Sequence, residues 1–168
     1  MPYEHEKHRH FNAGVTLTKI KQYSNHTIII DNDEVLESLP RIPISKAFDL
    51  IYSKIALLLS SLFYENSDGL ASIFEITDND KYSILSFGES LDDNNTELAI
   101  KNALNMLSNT TNPSSISRVF LFINGNTNLS TTDVISSINM IKGQVSNDAP
   151  QISHSYSISN GSNTTAIL

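Results

Sequence analysis

The chain contains no cysteine. Disulfides, zinc–thiolate centres and cysteine nucleophiles are excluded together. Positive charge is scarce: eleven Lys and Arg stand against eighteen Asp and Glu, a formal net charge of −7. Nucleic-acid backbones and anionic membranes select for basic surfaces, so neither is expected as the main partner. Long apolar runs are missing as well. The longest, IALLLSSLF over residues 55–63, is far below the roughly 20 residues that a membrane-spanning helix needs. No charged segment followed by an apolar stretch opens the chain, so no signal peptide is expected. These absences predict a soluble, acidic, cytoplasmic protein with no nucleic acid partner and no direct membrane insertion. Glycine is sparse too: Gly14, Gly69, Gly88, Gly125, Gly143 and Gly161 are all isolated. A phosphate cradle needs consecutive backbone N–H groups pointing inward, which closely spaced glycines allow. Neither G-x-x-x-x-G-K-[ST] nor G-x-G-x-x-G occurs, so these residues build no such loop.

What the chain has is a core. Of its 168 residues, 39% are hydrophobic, enough for one domain or two small coupled ones. The spacing of Phe11, Val15, Leu17 and Ile20 is loosely helical. HTIIID at 26–31 reads as a buried strand of a mostly parallel sheet, ended by Asn32 and Asp33. Residues 34–39 suit a single helical turn. Ser45 is a candidate cap for a long helix over about 45–66, whose second half is apolar nearly all round and is expected to lie buried between two layers. Residues 70–76 suit either helix or strand. Strands are expected at 82–87, 118–123, 152–158 and 164–168, and helices at 96–107 and 131–145. The predicted order is helix, strand, long helix, then β-α-β-α-β-β.

That order, with a few short motifs, resembles the latter part of FtsZ, the bacterial and archaeal relative of tubulin, along nearly the whole chain. PYEHE at 2–6 resembles the family's Pro-Phe-x-x-Glu at the end of a central strand. Ala13-Gly14-Val15 through Ile20 resembles the next helix, and HTIIIDND the strand ending in Asn-Asp. Ala47-Phe48 sits where the family has Ala-Phe in its long central helix. Gly88-Glu89-Ser90 resembles a Gly-x-Ala/Ser element, and RVFLFINGNTNLSTTDV the strand, Gly-containing turn, Leu-Ser and helix of the C-terminal domain. The resemblance implies an α/β (α+β) fold. Residues 1–66 would be the tail of a nucleotide domain with its central helix, and 67–168 a C-terminal domain with a mixed four-stranded sheet packed on helices. The chain would then start after the phosphate-binding part of that family.

The same resemblance implies a set of site residues. Glu6 falls where the family contacts the ribose of GTP, and His10 where it has a partnering arginine, with Arg9 one step early. Phe48 matches an aromatic that stacks on guanine. Tyr52 stands where the family reads the guanine edge with Asn or Asp, and a phenol cannot mimic paired carboxylate acceptors. Two of these positions also have plainer readings, a solvated helix start for 4–10 and a core aromatic for Phe48. In the family, an acidic loop after the central helix orients the attacking water, a role that carboxylates fill. Here that loop reads ENSDGLASIFEITDND. Asp68 matches the first aspartate in one register and Ala71 the second. Ser72, Phe74 and Thr77 take the places in another. The full acidic set is absent in both, which leaves Asp68 as the one catalytic candidate.

Three functional readings follow. In the first, the chain is an FtsZ-like cytoskeletal part that joins or caps filaments, needs no cofactor, and does not hydrolyse GTP by itself. Its interface would be the loop with Asp68, Gly69, Ser72 and Glu75, together with the helix at 131–145. In the second, it is a fragment of a complete GTPase. In the third, it is an unrelated α/β metal- or small-molecule-binding domain, with His5 and His8 one helical turn apart as candidate ligands and Asp31-Asn32-Asp33 as a candidate turn site. An exposed central helix (Ile55, Leu57, Leu58, Leu59, Leu62) or the strand HTIII would favour pairing with FtsZ-like subunits or a homodimer.

Overall fold

The structure is a computed structural model, and it describes residues 2, 6–24, 27–38, 43–64, 82–91, 95–145, 150–160 and 163–168. Its elements run α1 (Lys7–Ile20), β1 (Thr27–Ile29), α2 (Asn32–Ser38), α3 (Ile44–Tyr64), β2 (Tyr82–Ile84), β3 (Phe87–Ser90), α4 (Thr96–Thr110), a 3-10 turn (Pro113–Ser115), β4 (Arg118–Gly125), α5 (Thr131–Val145), β5 (Gln151–Ile158) and β6 (Thr164–Ile167). The expected order of helices and strands holds. The α+β class, with a mixed four-stranded sheet, holds as well.

That sheet runs β3-β6-β4-β5. β6 pairs antiparallel with β3 and β4, and β5 pairs parallel with β4. Strand residues alternate between its two faces. Val119, Leu121 and Ile123 of β4 face one core with Ala166 and Leu168, covered by Ile100 and Leu104 of α4 and Val134 and Ile141 of α5. Phe122, Ile167 and Phe87 face the other, covered by Val35 of α2, Ala47, Ile51 and Leu58 of α3, and Met106. The sheet is thus a filling between helices on both sides, which explains why RVFLFI reads as apolar throughout. Local chemistry sets the helix starts. Asn95 caps α4 by accepting from Leu98 N at 2.9 Å. Ser130 and Asp133 make a reciprocal capping box at α5, in which Ser130 N donates to Asp133 Oδ2 at 2.9 Å and Asp133 N donates to Ser130 Oγ at 3.3 Å.

Five expectations need correction. Residues 82–87 are not one strand: β2 pairs parallel with β1 in a two-stranded sheet, and β3 belongs to the four-stranded sheet. The chain crosses between them at Leu85-Ser86, where Leu85 N donates to Ile29 O and Ser86 N donates to Leu168 O, each at 2.9 Å. Strand β1 is parallel as expected but not buried, since Ile28 is 52% exposed. Ser45 is not the cap of α3, because the helix already begins at Ile44 and Ala47 N donates to Pro43 O. The central helix is also not buried all round. Ala47, Ile51 and Leu58 are buried, whereas Ala56 and Leu59 are exposed. The single turn expected from residue 34 is part of a two-turn helix, Asn32–Ser38. The side chain of Leu62 and all of 70–76 lie outside the described residues.

Candidate functional site

The residues implied by the nucleotide family lie on two helices. Glu6 occupies the N-cap position of α1 without a side-chain capping bond. Its carboxylate accepts from Arg9 Nη1 at 2.8 Å. Arg9, one residue ahead of the place that the resemblance gave to His10, is the arginine that pairs with Glu6. His10 is half-buried and donates its backbone N–H to Glu6 O at 3.3 Å. On α3, Phe48 and Tyr52 are one turn apart and stack with ring centroids 6.4 Å apart. Phe48 is half-buried against the core and Tyr52 is 64% exposed. The structure thus brings Phe48 to Tyr52 and Glu6 to Arg9, each pair on its own helix. By themselves these residues do not fit a nucleoside triphosphate. They offer a spent carboxylate, a phenol and one half-buried ring, with no cradle for the phosphates.

Asp68, Gly69, Ser72 and Glu75 lie outside the described residues, as does His5. His8 is exposed on α1. Asp31 serves the backbone: its Oδ1 accepts from Asp33 N at 3.1 Å and starts α2. Among the described residues, no group of three His, Asp or Glu side chains is gathered for a metal ion. Among them also, no helix is long and apolar enough to cross a membrane.

Sequence reasoning missed the joint between the central helix and the sheet. Lys54 lies on the buried stripe of α3 with Ala47, Ile51 and Leu58. Its Nζ pairs with Glu89 of β3 and donates to Thr165 Oγ1 of β6 at 3.1 Å. The side chains are only 11% and 22% exposed. Burying a cation this deep is costly unless a counter-charge and hydrogen bonds meet it, as Glu89 and Thr165 do here. A signal was present: Lys54 is the one charged residue between positions 50 and 64.

A second unforeseen feature lies at the β3 edge of the four-stranded sheet formed by the described residues. β3 is an edge strand, and a cleft of about 310 Å³ opens beside it between α2 and α4. Phe87 and Met106 line its floor, and Glu34, Glu37 and Glu89 line it with acid. The strand edge is already partly satisfied, since Asn102 Nδ2 donates to Glu89 O at 3.0 Å. Across the cleft, Asn109 Nδ2 donates to Glu34 Oε2 at 3.0 Å.

Comparison with known proteins agrees with this geometry. No protein-family model matches the chain. It is 30% identical over 111 residues to cell division protein FtsZ 2 of Thermococcus kodakarensis, a match covering 61% of this chain and 27% of the relative. It is 27% identical over 111 residues to cell division protein FtsZ 2 of Halobacterium salinarum, covering 62% of this chain and 28% of the relative. Among solved structures, an empty FtsZ dimer from M. jannaschii superposes with a TM-score of 0.70 at 17% identity, covering 90% of this chain and 46% of that one. A GTPγS-bound protofilament of CetZ2 from Haloferax volcanii superposes with a TM-score of 0.63 at 14% identity, covering 93% and 48%. The chain therefore has the fold of the FtsZ/tubulin superfamily and is related in sequence to archaeal FtsZ. It spans about half the length of those solved chains, and the sequence matches cover about a quarter of the curated relatives.

Proposed function

We propose that the chain is a subunit-interaction module of an FtsZ-like cytoskeletal protein, which enters filament assembly and does not hydrolyse GTP on its own. One observation carries the reading: α3 and the four-stranded sheet share a single core, pinned by Lys54, Glu89 and Thr165, in a fold that superposes on FtsZ over 90% of the chain. A rigid helix–sheet body suits an element that transmits contacts between subunits. Phosphoryl transfer needs a phosphate cradle and a water-orienting residue. The isolated glycines and the thinned acid set around Asp68 weigh against both. The proposed contact surface combines the loop of Asp68, Gly69, Ser72 and Glu75 with the outer face of α5, where Ile135 is exposed. The relatives' names point to cell division as the setting.

The test is assembly of the purified 168-residue chain with and without GTP, followed by sedimentation and phosphate release. Concentration-dependent association without GTP and no phosphate release above buffer are expected. GTP-dependent phosphate release by this chain overturns the reading. A second reading is favoured by the half-length coverage of the solved chains: the fold works as one half of a larger GTP-binding assembly. Sizing the native protein by immunoblot separates the two, since the second requires a band well above 18.6 kDa.

A further inference from the structure

Strand β5 reads QISHSYSI, and residues 152–158 within it are close to a palindrome. Ile-Ser-His-Ser-Tyr-Ser-Ile runs the same in both directions, except that His154 and Tyr156 change places. β5 ends the four-stranded sheet formed by the described residues. Gln151 N donates to Ser117 O and Ser159 N donates to Gly125 O, so the odd-numbered residues turn their backbone groups to β4. Those of Ile152, His154, Tyr156 and Ile158 then point outward. The side chain of His154 is exposed, and Tyr156 and Ile158 are 50% and 55% exposed. Strand edges are normally guarded by shortness, charge, proline or a covering element. Among the described residues the other edges have such guards. β1 and β2 are three residues each. At β3, Phe87 N donates to Met106 Sδ at 3.5 Å and Asn102 Nδ2 donates to Glu89 O at 3.0 Å. β5 has eight residues and no Pro, Lys, Arg, Asp or Glu. Residues 149–168 contain no Asp, Glu, Lys or Arg at all, so the whole net charge of −7 lies before them.

We propose that two copies of this chain pair antiparallel along β5, with the two-fold axis at Ser155. In that register Ile152 faces Ile158 of the second copy and His154 faces Tyr156 of the second copy, each pair occurring twice by symmetry. These are the residues whose backbone groups point outward, so each pair exchanges two N–H···O bonds. Ser155 meets its own copy in the position between them that carries no such bond. On the other face Ser153 meets Ser157. A slip by one residue would set the outward groups against residues already bonded to β4. A slip by two would put Tyr156 on Tyr156 and leave Ile152 opposite Asn160. The occupant is a second copy because this strand is complementary to itself read backwards. It is also the uncharged end of an acidic chain, where two copies meet without like charges directly opposed. The two sheets become one of eight strands, within the ordinary range. Such a contact is isologous and closes at two copies. It goes beyond the filament reading, since it needs neither GTP nor continued growth, and its main-chain ladder supplies the affinity.

The experiment is sedimentation velocity of the whole chain over a concentration series, at about 50 mM and about 500 mM salt. The expected result is a monomer–dimer equilibrium that stops at the dimer and tightens at high salt, because screening relieves the repulsion between two acidic copies. Ile158→Lys and His154→Pro each guard the edge, and each is expected to weaken the dimer at least tenfold. The proline removes an N–H that points away from β4. Both variants are checked for wild-type thermal melting, and if the proline variant melts early, Ile158→Lys decides. Disulfide trapping reads the register, since the chain has no cysteine of its own. Ser155→Cys alone is expected to cross-link under a mild oxidant, because Cα atoms paired at the axis lie about 4.5 Å apart, within disulfide reach. Ser153→Cys alone is expected not to cross-link, and its mixture with Ser157→Cys is expected to do so. Trapping of Ser153→Cys as fast as Ser155→Cys overturns the two-fold contact. Growth beyond the dimer that both edge variants retain overturns it as well and leaves the filament reading standing. A wild-type chain that is monomeric at every concentration overturns both this contact and assembly by the chain alone.

Discussion

Two layers of this molecule are built from similar ingredients and end up differently. The four-stranded layer buries Ile100, Leu121, Phe122, Ile123 and Ile141 completely. The layer of α1, β1 and β2 holds Phe11, Val15, Ile20, Tyr23, Ile28 and Tyr82, and every one is exposed. Within that layer, α1 meets β2 through light contacts: Tyr82 Oη donates to Leu17 O at 3.5 Å, and Lys21 Nζ sits 4.9 Å above the Tyr82 ring. The apolar content is alike; the covering differs. The larger sheet has helices on both faces, whereas the β1–β2 pair is a two-stranded parallel sheet, a form that is normally buried on both faces. Burial is a property of the partner layer as much as of the residue.

Mutations sharpen this contrast. The largest effect belongs inside the four-stranded layer, where Phe122→Ala is expected to cost about 3–5 kcal/mol, read from the urea midpoint. Gly88→Ala follows closely. A Cβ there meets Ala99 O at 2.1 Å and the Ala103 backbone nitrogen at 2.4 Å, so α4 must move off β3, at about 3 kcal/mol. Lys54→Met leaves the Glu89 carboxylate without its cation. Full burial of such a charge costs about 3–5 kcal/mol when the pair is broken, and partial solvent access reduces this to roughly 1–2 kcal/mol. Lys54→Met combined with Glu89→Gln is expected to recover much of that loss, and additive losses in a double-mutant cycle would break the joint described above. Ser86→Ala runs the other way. Its hydroxyl is buried without a hydrogen-bond partner among the described residues, so its removal is expected to stabilise by about 1 kcal/mol. In the exposed layer, Phe11→Ser is expected to change stability by less than about 0.5 kcal/mol.

The smallest effect is electrostatic. Glu97 hydrogen-bonds Lys101 at 2.6 Å on the exposed face of α4, and that bond, with the lysine's charge, lowers its carboxyl pKa. A depressed folded-state pKa gives a contribution that is present at neutral pH and lost as pH falls through the carboxyl's own titration. The site is fully exposed, so carboxyl NMR is the readout and not the melting temperature. Lys101→Met is expected to return the titration to the ordinary range.

Legibility follows the same divide. Helix α5 is readable residue for residue, because STTD announces its start and its apolar spacing runs unbroken. Strand β4 is readable as a buried run. The split of 82–87 between two sheets is not, because alternation reports which side a residue faces and not which sheet it joins. The role of Lys54 is hidden for the same reason, as its partners come from residues 35 and 111 positions away in sequence. Phe48 and Tyr52 are placed on one helix correctly by their spacing, whereas the pairing of Glu6 with Arg9 depends on where α1 begins.

The sequence by itself determined what is local: the helical and strand periods, and with them the FtsZ-like order of elements. These depend on neighbours within about one helical turn or one turn of chain. Only the tertiary structure decided which apolar residues found cover, which strand joined which sheet, and that a lone lysine would pin the central helix to the sheet. Those outcomes depend on contacts between distant residues, whose free energy no short window of sequence contains.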